Sequence, residues 1–569
     1  MTFLKRTLAA LLSCMLLVTS ALPQEKSDTI KATTRLVLID VIATDNSGKP
    51  VKDLKMGDFV VTEKGKEQKL SVFERFTPRN EEAKPLPANY LSNRPALKGT
   101  GLSNAVTVIL LDGLNTKTKN QAYVRQELLK YLTNQYKSST ATAVLALGNE
   151  VRVLQDFTTD PELLRKALEN FKPMESTTYN RSTTAPDQPV VLEGLQGLGQ
   201  SAYDRIVANL NYFTAEQVTR ALEERVQITM EAMRAIARAT AGYPGRKNLI
   251  WVSSAFPFDF MPDTPSTMGF SQSFAEQFKL TEALLTQARV SVYPVDALGL
   301  TVGLGSDAQT AGIVGRMGGF SNLGRVGDED YRETRSSKMV MEELAGQTGG
   351  KAFYNRNDVD NAVAIAAAEG SESYVIGYYP DDKNFDNKFR KIQVKVNRTD
   401  VKLRYRTGYY AVDLSHPMNL KAKDQAKARQ EEIRVALSDP FPATAVTIDA
   451  RVLQPQPGSK DATVQVIVYS KSLKTNPQPD GGEEIDIDLL VAAYDKNGKM
   501  VANAGRSQSA VFSKEQLEIF HQMGPRFDIP LKLDPGDYIL KIAVRDALSG
   551  AIGMTRAPIH IGPMPAAAQ

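Results

Sequence analysis

The run Ala105-Val-Thr-Val-Ile-Leu-Leu-Asp112 constrains this chain more than any other stretch, because it carries no charge until it closes on one carboxylate. A strand wet on one face alternates apolar and polar residues. A strand apolar on both faces belongs at the centre of a parallel sheet covered by helices on each side. Open α/β sheets bind their ligands just beyond the carboxyl ends of such strands. Asp112, Asn115 and Thr116 therefore stand where this kind of fold places a site.

The N-terminus reads as an export signal, residues 1–21: Lys5 and Arg6 precede an apolar segment, and Thr19-Ser20-Ala21 offers a cleavage point. That segment is too short to span a bilayer and no later run is long enough, so the expectation is a secreted or periplasmic protein with no transmembrane segment. The single cysteine, Cys14, lies inside the leader, which leaves the mature chain without disulfide or thiolate chemistry. Losing Lys5 and Arg6 takes the net charge from +4 to +2, which gives no reason to expect a nucleic-acid partner. At 569 residues the chain needs several cores.

Residues 30–76 alternate as short strands do, with turns at Asp45-Asn-Ser-Gly48 and Lys64-Gly65, and read as a small β-module. A connector over about 77–103 follows. From Ala105 the pattern becomes strand–helix alternation, the mark of a βαβ sheet, and this α/β domain is placed at 104–412. Its expected parts are a helix capped by Asn120, a hairpin over 141–157, a helix opened by Asp160-Pro161, a long helix from about Thr214 to Thr240, and buried strands at 248–252 and 290–295. Loop-rich insertions are expected at 173–212 and 299–335. A charged linker helix at 413–437, read as solvent-facing, leads to strands over 438–563 that fit an Ig-like β-sandwich. The hairpins Val41–Val51 and Val491–Val501 share one turn pattern: aspartate, two residues, glycine, lysine.

The strand closed by Asp112, the 141–157 hairpin and the strand at 248–252 together resemble a von Willebrand factor A (VWA) domain. The likeness is nearer to the acidobacterial-type VWFA-related proteins. It is carried by Val51-Lys-Asp-Leu-Lys-Met-Gly-Asp58-Phe59, by Leu111-Asp112-Gly-Leu-Asn115-Thr116, by Leu344-Ala-Gly-Gln-Thr-Gly349-Gly350, and by Tyr374-Val-Ile-Gly377-Tyr378 through Gly408-Tyr409-Tyr410, over roughly residues 30–412. The resemblance implies an α/β fold of Rossmann-like, doubly wound, mostly parallel type between the β-module and the sandwich. It also implies a metal-ion-dependent adhesion site, in which Asp-x-Ser-x-Ser, a Thr and a second Asp hold a divalent cation.

Here Asp112 matches the first ligand of that site and Thr116 the second hydroxyl, whereas Leu114 replaces the first serine and Asn115 offers only an amide oxygen. Ser253 and Ser254 stand where the second Asp is expected, and the Thr is one of Thr177, Thr178, Thr183 or Thr184. With one carboxylate, Mg²⁺ or Mn²⁺ would be held weakly at Asp112, Asn115, Thr116 and Ser253. The other reading makes Asp112 a cap for the adjacent loop and helix. Enzyme signals fail: His416, His521 and His560, the three histidines, fall outside the A-like sheet, so triads and His-based zinc sites lack material. Gly346–Lys351 is one residue short of a phosphate loop and leads into a strand. Trp251 reads as a core aromatic. The functional expectation is a non-enzymatic binding or scaffold protein engaging another protein; the alternative is an extracytoplasmic hydrolase with its site in the insertions.

Overall fold

The computed structural model describes residues 36–76, 90–94, 105–136, 140–183, 200–256, 272–299, 337–369, 372–416, 422–455 and 461–562. The expected leader with Cys14, the glycines at 194, 197 and 199, Thr184, and nearly all of the 299–335 insertion lie outside these residues.

The charge-free run forms a strand as its pattern requires. In chain order the strands are β1 (Val37–Asp45), β2 (Phe59–Glu63), β3 (Lys66–Gln68), β4 (Leu70–Phe76), β5 (Tyr90–Ser92), β6 (Val106–Asp112), β7 (Ala141–Leu147), β8 (Val151–Thr158), β9 (Lys247–Ser253) and β10 (Val290–Asp296). The last five make one sheet in the order β10-β9-β6-β7-β8. Pairing is parallel from β10 to β7 and antiparallel at the β8 edge. Phe353 extends the sheet beyond β10 through a parallel bridge to Val295.

Helices cover both faces. On one side Val108, Leu110, Leu249 and Val292 meet Val226, Met230 and Met233 of the helix Gln200–Thr240, Phe278 and Leu285 of Gln272–Gln287, and Met341 and Leu344 of the helix at 337–348. On the other, Ile109, Leu111, Ile250 and Val295 meet Val124 and Leu128 of Thr118–Asn134, Leu164 of Pro161–Asn170, and Val363 of Val359–Ala368. The sheet is thus doubly wound, and β6 is buried at every residue.

Several expectations shift. Part of the 173–212 insertion is helical, over Thr177–Thr183 and in the helix that begins at Gln200. No glycine or proline interrupts 200–240, so the helix propagates until Gly242 and Pro244 stop it. Asn120 lies inside its helix rather than at the cap. Asp160 does cap, accepting from Glu162 N at 2.8 Å with Pro161 behind it.

The stretch read as a separate β-module completes its sheets with strands from the far end of the 104–412 segment. Those are β11 (Ser373–Tyr378), β12 (Phe389–Val396), β13 (Val401–Arg404) and β14 (Gly408–Tyr410). The two sheets run β13-β1-β11-β4 and β14-β12-β2-β3 around a core of Ile39, Val41, Val61, Ile376, Val394 and Tyr409. A hairpin or two cannot bury an apolar face alone. The doubly wound domain is therefore an insertion between two halves of one β-layer pair.

The C-terminal strands are β15 (Ile448–Leu453), β16 (Asp461–Val468), β17 (Asn476–Pro477), β18 (Glu483–Tyr494), β19 (Met500–Phe512), β20 (Arg526–Lys532), β21 (Gly536–Asp546) and β22 (Ile552–Ile561). They form two antiparallel sheets, β20-β16-β15-β5 and β17-β18-β21-β22 with β19 on β18, around one apolar core. The segment read as a connector supplies β5, and Asn93 beside it donates to the Ala443 and Val446 carbonyls, both at 2.8 Å. The linker helix, Ala422–Ser438, is not wholly solvated: Ile433, Ala436 and Leu437 pack against Ala543, Ile552 and Met554.

Candidate functional site

β6 delivers Asp112 to the carboxyl edge of the sheet, where it is only 2% exposed. The loop that follows is tied down on all sides. Gly113 N and Leu114 N both donate to the Leu147 carbonyl at the end of β7, at 2.8 and 3.0 Å. Gln121 donates to the Thr116 carbonyl at 2.7 Å and to the Met174 carbonyl at 2.8 Å, and accepts from Met174 N at 2.9 Å. Leu114 points into the core and is fully buried.

Donors converge on Asp112. Asn115 N reaches Oδ1 at 2.9 Å, while Asn115 Nδ2 and Trp251 Nε1 each reach Oδ2 at 2.9 Å. The Ser253 hydroxyl stands 2.8 Å from both Asp112 Oδ2 and the Ala255 carbonyl. One hydroxyl hydrogen serves only one of these acceptors, and a proton on Asp112 would supply the other. Burial pushes the Asp112 carboxyl above the usual carboxylate range, opposed by the hydrogen bonds from Asn115, Ser253 and Trp251.

A second ring surrounds the first. The Asn115 amide oxygen accepts from Arg225 Nε at 2.9 Å, and its Nδ2 also meets Thr229 Oγ1 at 3.1 Å. The Arg225 guanidinium lies 4.6 Å from the centre of the Tyr179 ring. Thr116 Oγ1 accepts from Ser254 N at 3.0 Å.

Asp112, Asn115, Thr116 and Ser253, the residues singled out from sequence, are thus brought together around one loop. Of the threonines considered, Thr178 hydrogen-bonds to Arg181 at 3.2 Å, and the hydroxyl that does meet Asn115 is Thr229. Trp251, Arg225 and Thr229 were not foreseen as site residues. The available signals were the shared strand face of Trp251 and Ser253, two apart on β9, and the polar pair Arg225/Thr229 one helical turn apart among Val226, Met230 and Met233.

This donor set does not fit a divalent cation. A void of about 10 Å³ beside Asp112 is lined by Leu111, Gly113, Thr116, Gln121, Val124, Phe171 and Val252, with no second carboxylate. The Asn115 oxygen is taken by a buried cation, Arg225, and both Asp112 oxygens are taken by protein donors. Hard cations need several free oxygen ligands. Among the described residues no three acids, histidines or cysteines are grouped as metal ligands. The expected result of titrating the purified protein with Mg²⁺ or Mn²⁺ is a melting temperature that shows no saturable rise; a rise in wild type that disappears in Asp112→Asn would establish a cation at this loop.

A second acid, Asp296, ends β10 and is 8% exposed, accepting from Leu298 N at 2.8 Å. Burial pushes its carboxyl up to about 6. Because the folded value lies above that of the unfolded chain, folding favours the protonated acid; that contribution is complete below about pH 4 and is lost as the pH rises through about 6. Asp296→Asn keeps the acceptor and removes the buried charge. It should stabilise the protein by up to about 3 kcal/mol at pH 7.5, with the gain fading towards pH 4 in paired denaturation curves.

Gly346–Lys351 is a helix end. Gly350 N donates to the Ala345 carbonyl at 2.8 Å and Gly349 adopts φ 77°, which closes the helix at 337–348 in a Schellman turn. A Cβ on Gly350 would lie 1.9 Å from the Val292 carbonyl oxygen, so close approach to β10 requires glycine there.

No family model matches the sequence, and a search of curated proteins finds no match. Among solved structures, the chain is similar to an aerotolerance-related membrane protein from Bacteroides fragilis, at 11% identity over 47% of this chain and 98% of that one, TM-score 0.23. It is similar to manganese-loaded TRAP protein from Plasmodium vivax at 9% identity, over 59% and 96% of the two chains, TM-score 0.21. A von Willebrand factor type A protein from Catenulispora acidiphila gives 9% identity, 68% and 82% coverage and TM-score 0.17. At these scores the class of the fold rests on strand order and on the placement of Asp112, not on the likenesses. Strand order makes this a doubly wound, mostly parallel α/β domain carried between antiparallel β-sheets. Among the described residues no helix is long and apolar enough to cross a membrane.

Proposed function

We propose that the chain is a secreted or periplasmic, non-enzymatic binding or scaffold protein. In this reading a VWA-like domain engages another protein at the carboxyl edge of its sheet, and the C-terminal double sheet is an Ig-like sandwich that carries or spaces it. The observation that supports this most is the closure of protein donors on Asp112, which leaves the place where the fold would hold its ligand filled by the chain's own hydrogen bonds. The buried acids Asp112 and Asp296 at the strand ends lack an exposed partner base or nucleophile in these contacts, which favours recognition over hydrolysis. What a partner meets is the exposed rim, including Lys117, Thr118 and Lys119 at the start of the helix after Asp112.

The test is affinity capture from the native envelope or medium with wild type and with a Lys117→Glu/Lys119→Glu variant of equal stability. A partner retained saturably by wild type and lost by the charge reversal is the expected result. Identical capture by both proteins, or turnover of ester, glycoside or peptide substrates, would sink the proposal.

A further inference from the structure

A small cavity lies where the inserted α/β domain meets the split β-layers. Its lining comes from β1 (Leu38, Asp40), the end of the helix Gln272–Gln287 and the following turn (Thr286, Arg289), the start of β10 (Ser291), Thr348, and Arg406. The volume is about 20 Å³. One water needs roughly 10–15 Å³ by the same kind of measure, so the space suits one or two waters or one monatomic ion.

The unmet groups there are donors. Arg406 is 8% exposed and spends one Nη2 hydrogen on the Leu38 carbonyl at 2.8 Å, while its Nε and Nη1 have no hydrogen-bond partner. It makes no ion pair among the described residues; Glu282 and Asp40 act on it only at longer range. The neighbouring hydroxyls have spent their hydrogens: Ser291 donates to the Thr348 carbonyl at 2.9 Å, Thr348 to the Leu344 carbonyl at 2.8 Å, and Thr286 to Glu282 at 3.0 Å. Asp40, the one acid in the lining, is clamped by Arg289 through Nε at 3.1 Å and through Nη2.

A water could accept from Arg406 and donate to the free lone pairs of the Ser291 and Thr286 hydroxyls, but it would bring no counter-charge to the guanidinium. The Tyr409 ring, its centre 5.5 Å from the Arg406 guanidinium carbon, brings no full counter-charge, and a buried guanidinium carries a large desolvation cost unless one meets it. Arg246 adds positive charge nearby, since it also acts on Asp40. The geometry points to a site for a small monovalent anion of chloride size, held by Arg406 between the α/β domain and the β-layers. Sulfate and phosphate are too large for it.

The test compares thermal unfolding of the purified protein in sodium chloride, sodium bromide and sodium gluconate at equal ionic strength. Chloride and bromide should raise the melting temperature saturably over gluconate by about 2 °C or more. Arg406→Met should remove that difference. In crystals grown with sodium bromide, an anomalous peak should appear within hydrogen-bond reach of Arg406. Equal melting temperatures in all three salts, a halide effect that survives Arg406→Met, or a peak-free cavity would overturn the assignment. The bromide diffraction decides alone if Arg406→Met does not fold.

Discussion

Asp112→Ala should lower stability by about 3–5 kcal/mol. The change leaves the Trp251 indole N–H, the Asn115 backbone N–H and the Asn115 amide without the acceptor they share, in a place closed to water. Each orphaned buried donor costs about 1–3 kcal/mol, partly offset because a desolvated carboxyl is removed with them. Asp112→Asn keeps the shape but sets an NH₂ group against donors, so an intermediate loss of about 1–3 kcal/mol is expected. Trp251→Phe removes one donor and should cost least through this network. Denaturant unfolding of the three variants gives the ranking. If Asp112→Ala proved neutral while magnesium stabilised wild type, the carboxylate would be a metal ligand and not the hub of an internal network.

The second large loss is expected at Asp439. This acid is buried at the start of the C-terminal region and accepts from Arg238 of the long helix, Nε to Oδ2 at 2.7 Å and Nη2 to Oδ1 at 3.0 Å. Arg238 also reaches Glu231 at 2.7 Å. Burial raises the Asp439 carboxyl and its arginine opposes the rise. Removing one partner of a buried, bidentate pair strands the other charge, so Asp439→Ala should cost about 3–5 kcal/mol. The loss should be local at first. Beside the pair, Thr444 N donates to the Arg238 carbonyl at 2.9 Å, and Gly242 sits so close to Thr444 that a Cβ would lie 2.1 Å from its carbonyl oxygen. Limited proteolysis should then cut first near residues 439–446, before the α/β core opens. Double replacement of Arg238 and Asp439 by apolar residues should recover much of the loss, as buried ion pairs often can be exchanged for packing. Failure of the double variant to recover would mean the arginine acts mainly through Glu231.

How much of this was legible in the chain depended on distance along it. The central strand, the hairpin at 141–157, the strands at 248–252 and 290–295 and the cap at Asp160 follow from period and capping, which are local. So does the turn shared by the two hairpins: Asp45 and Asp495 each accept through Oδ1 from the lysine four residues on, at 2.9 Å, with Gly48 and Gly498 at positive φ. The start of the helix at Gln200 has a local signal too, since no glycine or proline falls between 200 and 240.

Other features arose only when distant segments met. Strand pairing joins β1 to β11 across more than 300 residues, and no local pattern names that partner. At the site, the sequence marked Asp112, Asn115, Thr116 and Ser253 as neighbours in a loop system but was silent on hydrogen-bond direction. That direction comes from Trp251, brought beside Asp112 by strand register, and from Arg225 on a helix packed over the same edge. A carboxylate at the end of a buried strand is a site by position. Whether it reaches outward for a ligand or inward for its own chain is settled by which donors the packing delivers to it, and here they come from within.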